Sequence, residues 1–176
     1  EQKKILPAFL KKLSQEQINY LKETQTPQCP FCLIAENKLK SRKIYENNEV
    51  IAVLEINPAN PGHTIVFPKQ HYSVLSQIKD VGTLFNTVNK ISAVLFDSLN
   101  AQGTNILVSN GQIAGQNIPH VTINIIPRFS KDNIDFKFNQ KKAQEEELDK
   151  MMAKIKNSEQ YENIHKSSEN KPRRIE

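Results

Sequence analysis

The sequence predicts an α+β domain: an antiparallel sheet of about five strands with one long helix, plus N- and C-terminal helical extensions. Two observations carry this. Several short segments alternate apolar and polar residues with the two-residue period of a strand, and they follow one another through turn-rich links. One longer segment, "VGTLFNTVNKISAVLFDSLN", repeats its apolar residues at helical spacing. Strands in series with a single long helix are the pattern of α+β architecture.

Taken in order, residues 8–24 place Phe9, Leu10, Leu13, Ile18 and Leu21 near helical spacing, which predicts an amphipathic helix outside the core. The stretch "QTPQCPFC" breaks it with two prolines. From Lys43, "KIYENNEVIAVLEI" reads as two strands around a polar Glu46–Glu49 turn. "NPANPGH" is a turn and "HTIVFPK" a third strand. The long helix carries Leu84, Phe85, Val88, Ile91, Leu95 and Leu99 on one face, and Asn100 and Gly103 punctuate its end. "TNILVSN" and "IPHVTINII" are two further strands joined by the loop "GQIAGQ". After Arg128 the apolar content falls. "QKKAQEEELDKMMAKIK" reads as a surface or partner-facing helix, and the polar end as a disordered tail. The expected division is a helical extension over 1–26, a core domain over 27–138 and a helical or disordered extension over 139–176.

The chain has 176 residues, enough for one domain with a real core and terminal extensions. Its net charge of +5 permits contact with nucleotides or nucleic acid without demonstrating it. The charge is mixed, with Glu145–Glu147 beside lysines, so nucleic acid is the disfavoured partner. The longest apolar run, Val50–Leu54, is far too short to span a membrane. The start "EQKKILPAFLKK" has no apolar signal core, so the expected location is the cytoplasm.

The two cysteines, Cys29 and Cys32, form a C-x-x-C pair. Adjacent thiolates at this spacing suit one zinc ion, which needs two further ligands from elsewhere. A redox pair and a chance pair are the alternatives. The redox reading is weaker because this C-x-x-C follows a proline-broken segment and does not end a strand of a βαβ unit. Of the four histidines, His165 lies in the polar tail. His63 follows Pro61-Gly62 at a turn, where a structural hydrogen bond is the plain expectation. His71 and His120 remain, although a strand histidine is more often a satisfied core residue than a ligand.

Three segments, "CPFCLIAENKLKSRKIYENNEVIAVLEINPANPGHTIVFPKQH", "NILVSNGQIAGQ" and "HVTINIIPR", together resemble the histidine-triad (HIT) superfamily on its Hint-like branch. The resemblance covers about residues 29–130. It rests on the Asn-Pro-x-x-Pro-Gly-His turn, the Pro-Lys-x-His, the Ala-Gly-Gln loop and the Ile-Ile-Pro-Arg end, all in family order. It implies a HIT fold, commonly a homodimer, that binds purine nucleotides. It also implies one structural zinc ion (Zn2+) per chain on Cys29, Cys32, His71 and His120. The family's catalytic strand reads His-x-His-x-His, whereas this one reads His120-Val121-Thr122-Ile123-Asn124. Residues two apart in a strand share a face, so Thr122 and Asn124 stand at the degenerate catalytic positions. The family's middle histidine attacks the α-phosphorus. An imidazole lone pair can do this at neutral pH, but a threonine hydroxyl needs a general base to take its proton. Asn124 cannot titrate, and zinc would occupy His120. No catalytic residue is then intact, and acid–base help alone is worth roughly 100- to 10,000-fold.

The resemblance also maps a pocket. Phe31, Ile34, Val53 and Ile56 match the residues against adenine. Glu55 matches the acid that holds the ribose, one methylene longer than the usual Asp. Asn110, Gly115, Gln116 and Asn117 match the phosphate loop, and Thr122 and Asn124 can still donate hydrogen bonds to a phosphate. The plain alternative is that the apolar four are core residues and the loop is a connection. Arg128 reads either as a phosphate contact or as a salt-bridged anchor. The expectation that follows is a zinc-containing protein binding AMP- or GMP-like nucleotides that has lost its nucleophile, a pseudoenzyme or regulatory subunit. The alternatives are a phosphoramidase or nucleotide hydrolase working by a different route, and a module docking on a protein or RNA complex through its terminal helices.

Overall fold

A computed structural model describes residues 29–163. The helix expected over residues 8–24 lies outside these. The polar tail expected to be disordered, residues 157–176, is described only to residue 163, and there residues 159–163 are helical, a correction to that expectation. The described residues form two compact units, one ending at Ile134 and the next beginning at Asp135.

The first unit is α+β, as the pattern predicts. A six-residue helix, α1 (Pro30–Ala35), precedes the hairpin β1 (Lys43–Glu46) and β2 (Val50–Leu54), then β3 (Thr64–Pro68). A 3-10 turn at Leu75–Gln77 leads into α2 (Gly82–Leu99). Then follow β4 (Gly103–Val108), a 3-10 turn at Gln112–Ala114 and β5 (Ile123–Arg128). The five strands make one sheet in the order β1-β2-β3-β5-β4, with every pair antiparallel. Asn47 closes the first hairpin: its side-chain oxygen accepts from the amides of Glu49 and Val50 at 2.8 and 2.7 Å. Asn100, in the left-handed conformation, ends α2.

The sheet is covered on both faces. Val50, Ala52, Val66, Val121, Ile123 and Ile125 pack against Leu84, Val88, Ile91 and Leu95 of α2. Ile51, Val53, Ile65 and Phe67 point the other way and pack with Ile34, Phe31 and Ala35 of α1. Strands covered on both faces have no polar side to present, which explains the unbroken apolar run of β2.

Three details differ from the sequence reading. The C-x-x-C, given no element of its own in the sequence pattern, starts α1, while the helix that its prolines were expected to end lies outside the described residues. Pro30 stands at the first helical turn, where a missing N–H costs nothing. On α2, Phe85 and Leu99 sit at the exposed margin of the face. Thr87 is buried instead, its hydroxyl donating to the Thr83 carbonyl at 2.8 Å. The last strand begins at Ile123 rather than Ile118. Its ladder with β3 pairs Val66 with Ile123 and stops there. Beyond it Pro68 has no N–H to offer, and the Val121 amide donates instead to the Tyr72 carbonyl at 2.7 Å. His120, at a bend and with its amide donating to the Ile118 carbonyl at 2.8 Å, and Thr122 therefore lie ahead of β5, while Asn124 lies in the strand itself.

The second unit contains α3 (Glu145–Lys156), with Glu145, Glu146 and Glu147 in its first turn and Lys154 and Lys156 in its last. That polarity suits the helix dipole. None of its residues is buried.

Candidate functional site

Cys29, Cys32, His71 and His120 converge. Their ligand atoms all lie within 4.8 Å of one another, and such a group can hold a metal ion. Three elements deliver them. Cys29 caps α1 and Cys32 lies within it, His71 follows β3, and His120 lies just ahead of β5. The Cys29 Sγ and Cys32 Sγ atoms lie 3.3 and 3.7 Å from His120 Nδ1, and Cys32 Sγ lies 3.3 Å from His71 Nδ1. Ordinary zinc–sulfur and zinc–nitrogen lengths place the sulfur–nitrogen edges of a tetrahedron at about 3.6 Å, so the residues fit such an ion.

The surroundings prepare His120 for that role. It is fully buried, between the rings of Phe31 and Phe67. Its Nε2 donates to the Pro68 carbonyl at 2.9 Å, which leaves the Nδ1 lone pair facing the thiols. Burial, and secondarily repulsion from His71, hold its pKa below the ordinary value, against the opposing pull of the Pro68 carbonyl. Burial, followed by the hydrogen bond and charge of Cys29, pushes the Cys32 thiol up to about 11. A cation among these groups favours the thiolate, so binding would release protons.

Next to this cluster lies the face shared by Thr122 and Asn124, both half-buried, while Val121, Ile123 and Ile125 face α2. Asn124 is not alone. Its side-chain oxygen meets His63 Nε2 at 3.0 Å, and His63 Nδ1 accepts from the Ala59 amide at 3.2 Å. The sequence reading gave His63 a structural hydrogen bond but did not find this partner. The two residues are 61 positions apart, and only the β3–β5 ladder brings them together.

The loop before His120 is tightly tied. Gly111 and Gly115 adopt positive φ angles of 87° and 90°. Gln116 accepts from the Gly111 amide at 2.7 Å and donates to the carbonyls of Ser73 at 2.6 Å and His120 at 3.3 Å. Asn110 accepts from the Leu75 amide at 2.8 Å. Asn117 is exposed. Of the residues matched to adenine, Ile34 and Val53 are buried with Phe31 packed beside them, and Ile56 is 79% exposed. Glu55 accepts from the Asn57 amide at 2.9 Å, and its own amide donates to the His63 carbonyl at 2.9 Å.

Arg128 is an anchor. Its Nε and Nη2 clamp the two Asp132 carboxylate oxygens at 2.6 and 2.9 Å, while Nη1 reaches Asn105 at 2.6 Å. Asp132 also accepts from the amides of Phe129 and Ile134 and from Asn60, and the Arg128 bond leads in holding its carboxyl far below the usual range.

This is a small two-faced α+β domain with a Cys2His2 cluster beside a polar strand face. The chain belongs to the HIT family: residues 36–131 match the HIT domain model. An uncharacterized HIT-like protein of Methanocaldococcus jannaschii is 38% identical over 130 residues, covering 73% of this chain and 98% of that protein. Among relatives with a stated activity, an adenylylsulfatase of Arabidopsis thaliana is 35% identical over 59% of this chain and 54% of its own length. An adenosine 5'-monophosphoramidase of Candida albicans is 33% identical over 57% of this chain and 70% of its own. The crystal structure of a HIT family protein from Bacillus subtilis superposes with a TM-score of 0.68 at 32% identity, over 73% of this chain and 94% of that one. A zinc-bound histidine triad family protein from Mycobacterium smegmatis gives a TM-score of 0.54 at 26% identity, over 73% and 95%.

Proposed function

We propose that this HIT protein binds a purine nucleoside monophosphate, holds one structural zinc ion, and does not carry out nucleotidyl transfer through histidine. Thr122 at the position of the attacking group is the observation that carries the loss of chemistry. The neighbouring Asn124 cannot titrate, and His120 is committed to Pro68 and the two thiols. Retained binding is supported by the loop around Gly115 and Gln116, by Glu55 at the matching position, and by relatives named for reactions of adenylyl compounds. In this reading Phe31, Ile34, Val53 and Ile56 flank the base, and Asn110, Asn117, Thr122 and Asn124 serve the phosphate.

Zinc is supported by the fit of the four ligand atoms and by the zinc-bound Mycobacterium smegmatis relative. There Cys29, Cys32, His71 and His120 would hold the ion, which would supply a cross-link between α1, the end of β3 and the approach to β5. A homodimer through β4 is supported by the contrast between the sheet's two edges. Both edges expose apolar side chains, Ile44 on β1 and Ile106 on β4, but the β1 edge also carries the paired Lys43 and Glu46, whereas β4 reads "GTNILV" with no charge. Among the described residues no helix is long and apolar enough to cross a membrane. The cytoplasm remains our proposed location.

Isothermal titration of the purified protein with AMP and GMP tests the central claim. Micromolar binding of either supports it, and no heat at high protein concentration overturns it. A second reading, a protein-docking module, is favoured by α3, whose Leu148, Met151, Met152 and Ile155 form an exposed apolar stripe at helical spacing. Deleting residues 139–176 would then abolish partner capture and leave nucleotide binding unchanged.

A further inference from the structure

His63 lies outside both the metal cluster and the residues matched to nucleotide, yet it is 91% buried and joins three parts of the site. Its carbonyl accepts from the Glu55 amide at 2.9 Å. Its Nδ1 accepts from the Ala59 amide at 3.2 Å. A backbone N–H can only donate, so Nδ1 must hold the lone pair and Nε2 the proton. Nε2 then donates to Asn124 Oδ1 at 3.0 Å. With its oxygen turned to His63, the other branch of the Asn124 amide is an NH2 group. A carboxamide with a free partner could present either atom to a ligand, and this one cannot. The orientation is thus relayed from Ala59 through the ring to Asn124.

We infer that His63 is a positioning residue that fixes Asn124 with its amide nitrogen as the donor to the phosphoryl group of a bound nucleoside monophosphate. The inference rests on the nucleotide reading above and deepens it. It gives the Asn at this strand position a task that a fixed neutral amide can perform, namely to donate to an anion without itself carrying charge. The same residue holds Glu55 through its backbone, so one imidazole-bearing turn sets both the expected ribose acid and the expected phosphate donor.

The test compares AMP with adenosine by calorimetry in the wild type and in Asn124→Asp, His63→Leu and His63→Gln. Asn124→Asp keeps an acceptor for His63 but replaces the donor by a negative charge. We expect the AMP-over-adenosine preference to fall at least about 10-fold. His63→Leu should reduce the preference about 3- to 10-fold, and His63→Gln, which retains a donor near Nε2, should recover part of it. A purely structural role would weaken both ligands together and leave their ratio unmoved. If His63→Leu does not fold, Asn124→Asp tests only the donor role of Asn124. His63→Phe, which keeps the ring volume without a donor, then takes over the test of His63, and an unmoved preference there overturns the inference. A wild type that binds neither ligand overturns the nucleotide reading and the inference with it. A wild type that prefers AMP, with the preference intact in Asn124→Asp, overturns the inference alone.

Discussion

Two residue-scale contrasts decide what this site can do. The first is Thr122, which we propose stands in the place of an attacking imidazole. Restoring histidine there, together with Asn124→His, should create hydrolysis of adenosine phosphoramidate at least about 100-fold above the wild type. A nucleotidyl-histidine trapped by mass spectrometry would identify the route. Wild-type turnover matching that of the double variant would show that the chain reacts by other means. The second contrast is Asp132, whose carboxylate takes two bonds from Arg128 and others from Phe129, Ile134 and Asn60. Its folded pKa is depressed. Its contribution to stability is therefore complete above the unfolded value of about 3.9 and is lost as pH falls through the folded value. Asp132→Asn should lower the urea midpoint at pH 7 and flatten its decline below about pH 4, so that the two proteins converge in acid. Parallel curves down to pH 2.5 would mean that the clamp adds nothing.

Elements differed in how openly the sequence displayed them. The helix α2 and the strands β2 and β3 were legible because their apolar periods are long or unbroken. The four metal candidates were legible because C-x-x-C is a local signal and the rest followed from family resemblance. The helix α1 was not, since Pro30 reads as a breaker until its place at the first turn is known. The start of β5 was missed because the alternation from Ile118 onward continues past the point where Pro68 ends the ladder. The His63–Asn124 contact lies wholly outside local pattern, since it exists only through sheet register. Gly62 shows how a turn is matched to a helix. Its φ is +82°, and a Cβ built there would stand 2.2 Å from Leu99 Cδ1 at the end of α2. Gly62→Ala must bear both the unfavourable backbone angle and the displacement of Leu99, about 1–3 kcal/mol together. Thermal unfolding should shift down by roughly 5–15 °C. An unchanged melt would show that α2 yields freely at this point.

At the scale of the whole molecule, two kinds of closure remain to be measured. One is within the chain. At six residues α1 is too short to persist alone, and its anchors are Ile34, Phe31 and the two thiols. On the proposed zinc reading, the wild type should carry about one zinc per chain by elemental analysis and Cys32→Ser near none. The substitution should also lower the melting temperature by roughly 5–15 °C. Full zinc occupancy in that variant would remove Cys32 from the ligand set. The other closure is between chains. An open sheet offers two rows of unpaired backbone groups, and the sequence treats them differently. On β1, Lys43 pairs with Glu46, which also pairs with Lys69, and a second strand laid there would meet and desolvate these charges. On β4 no charge intervenes, and Ile106 and Leu107 stand 45% and 36% exposed. Two copies meeting along β4 would extend the sheet antiparallel about a two-fold axis, with each copy using the same patch. Ile106→Lys should therefore convert a dimer into a monomer in light scattering at micromolar concentration. Ile44→Lys, an equally exposed position on the opposite edge, should leave the mass unchanged. If both variants or neither dissociate, β4 is not the interface. If the wild type is monomeric at tens of micromolar, the proposed nucleotide site must be complete within one chain.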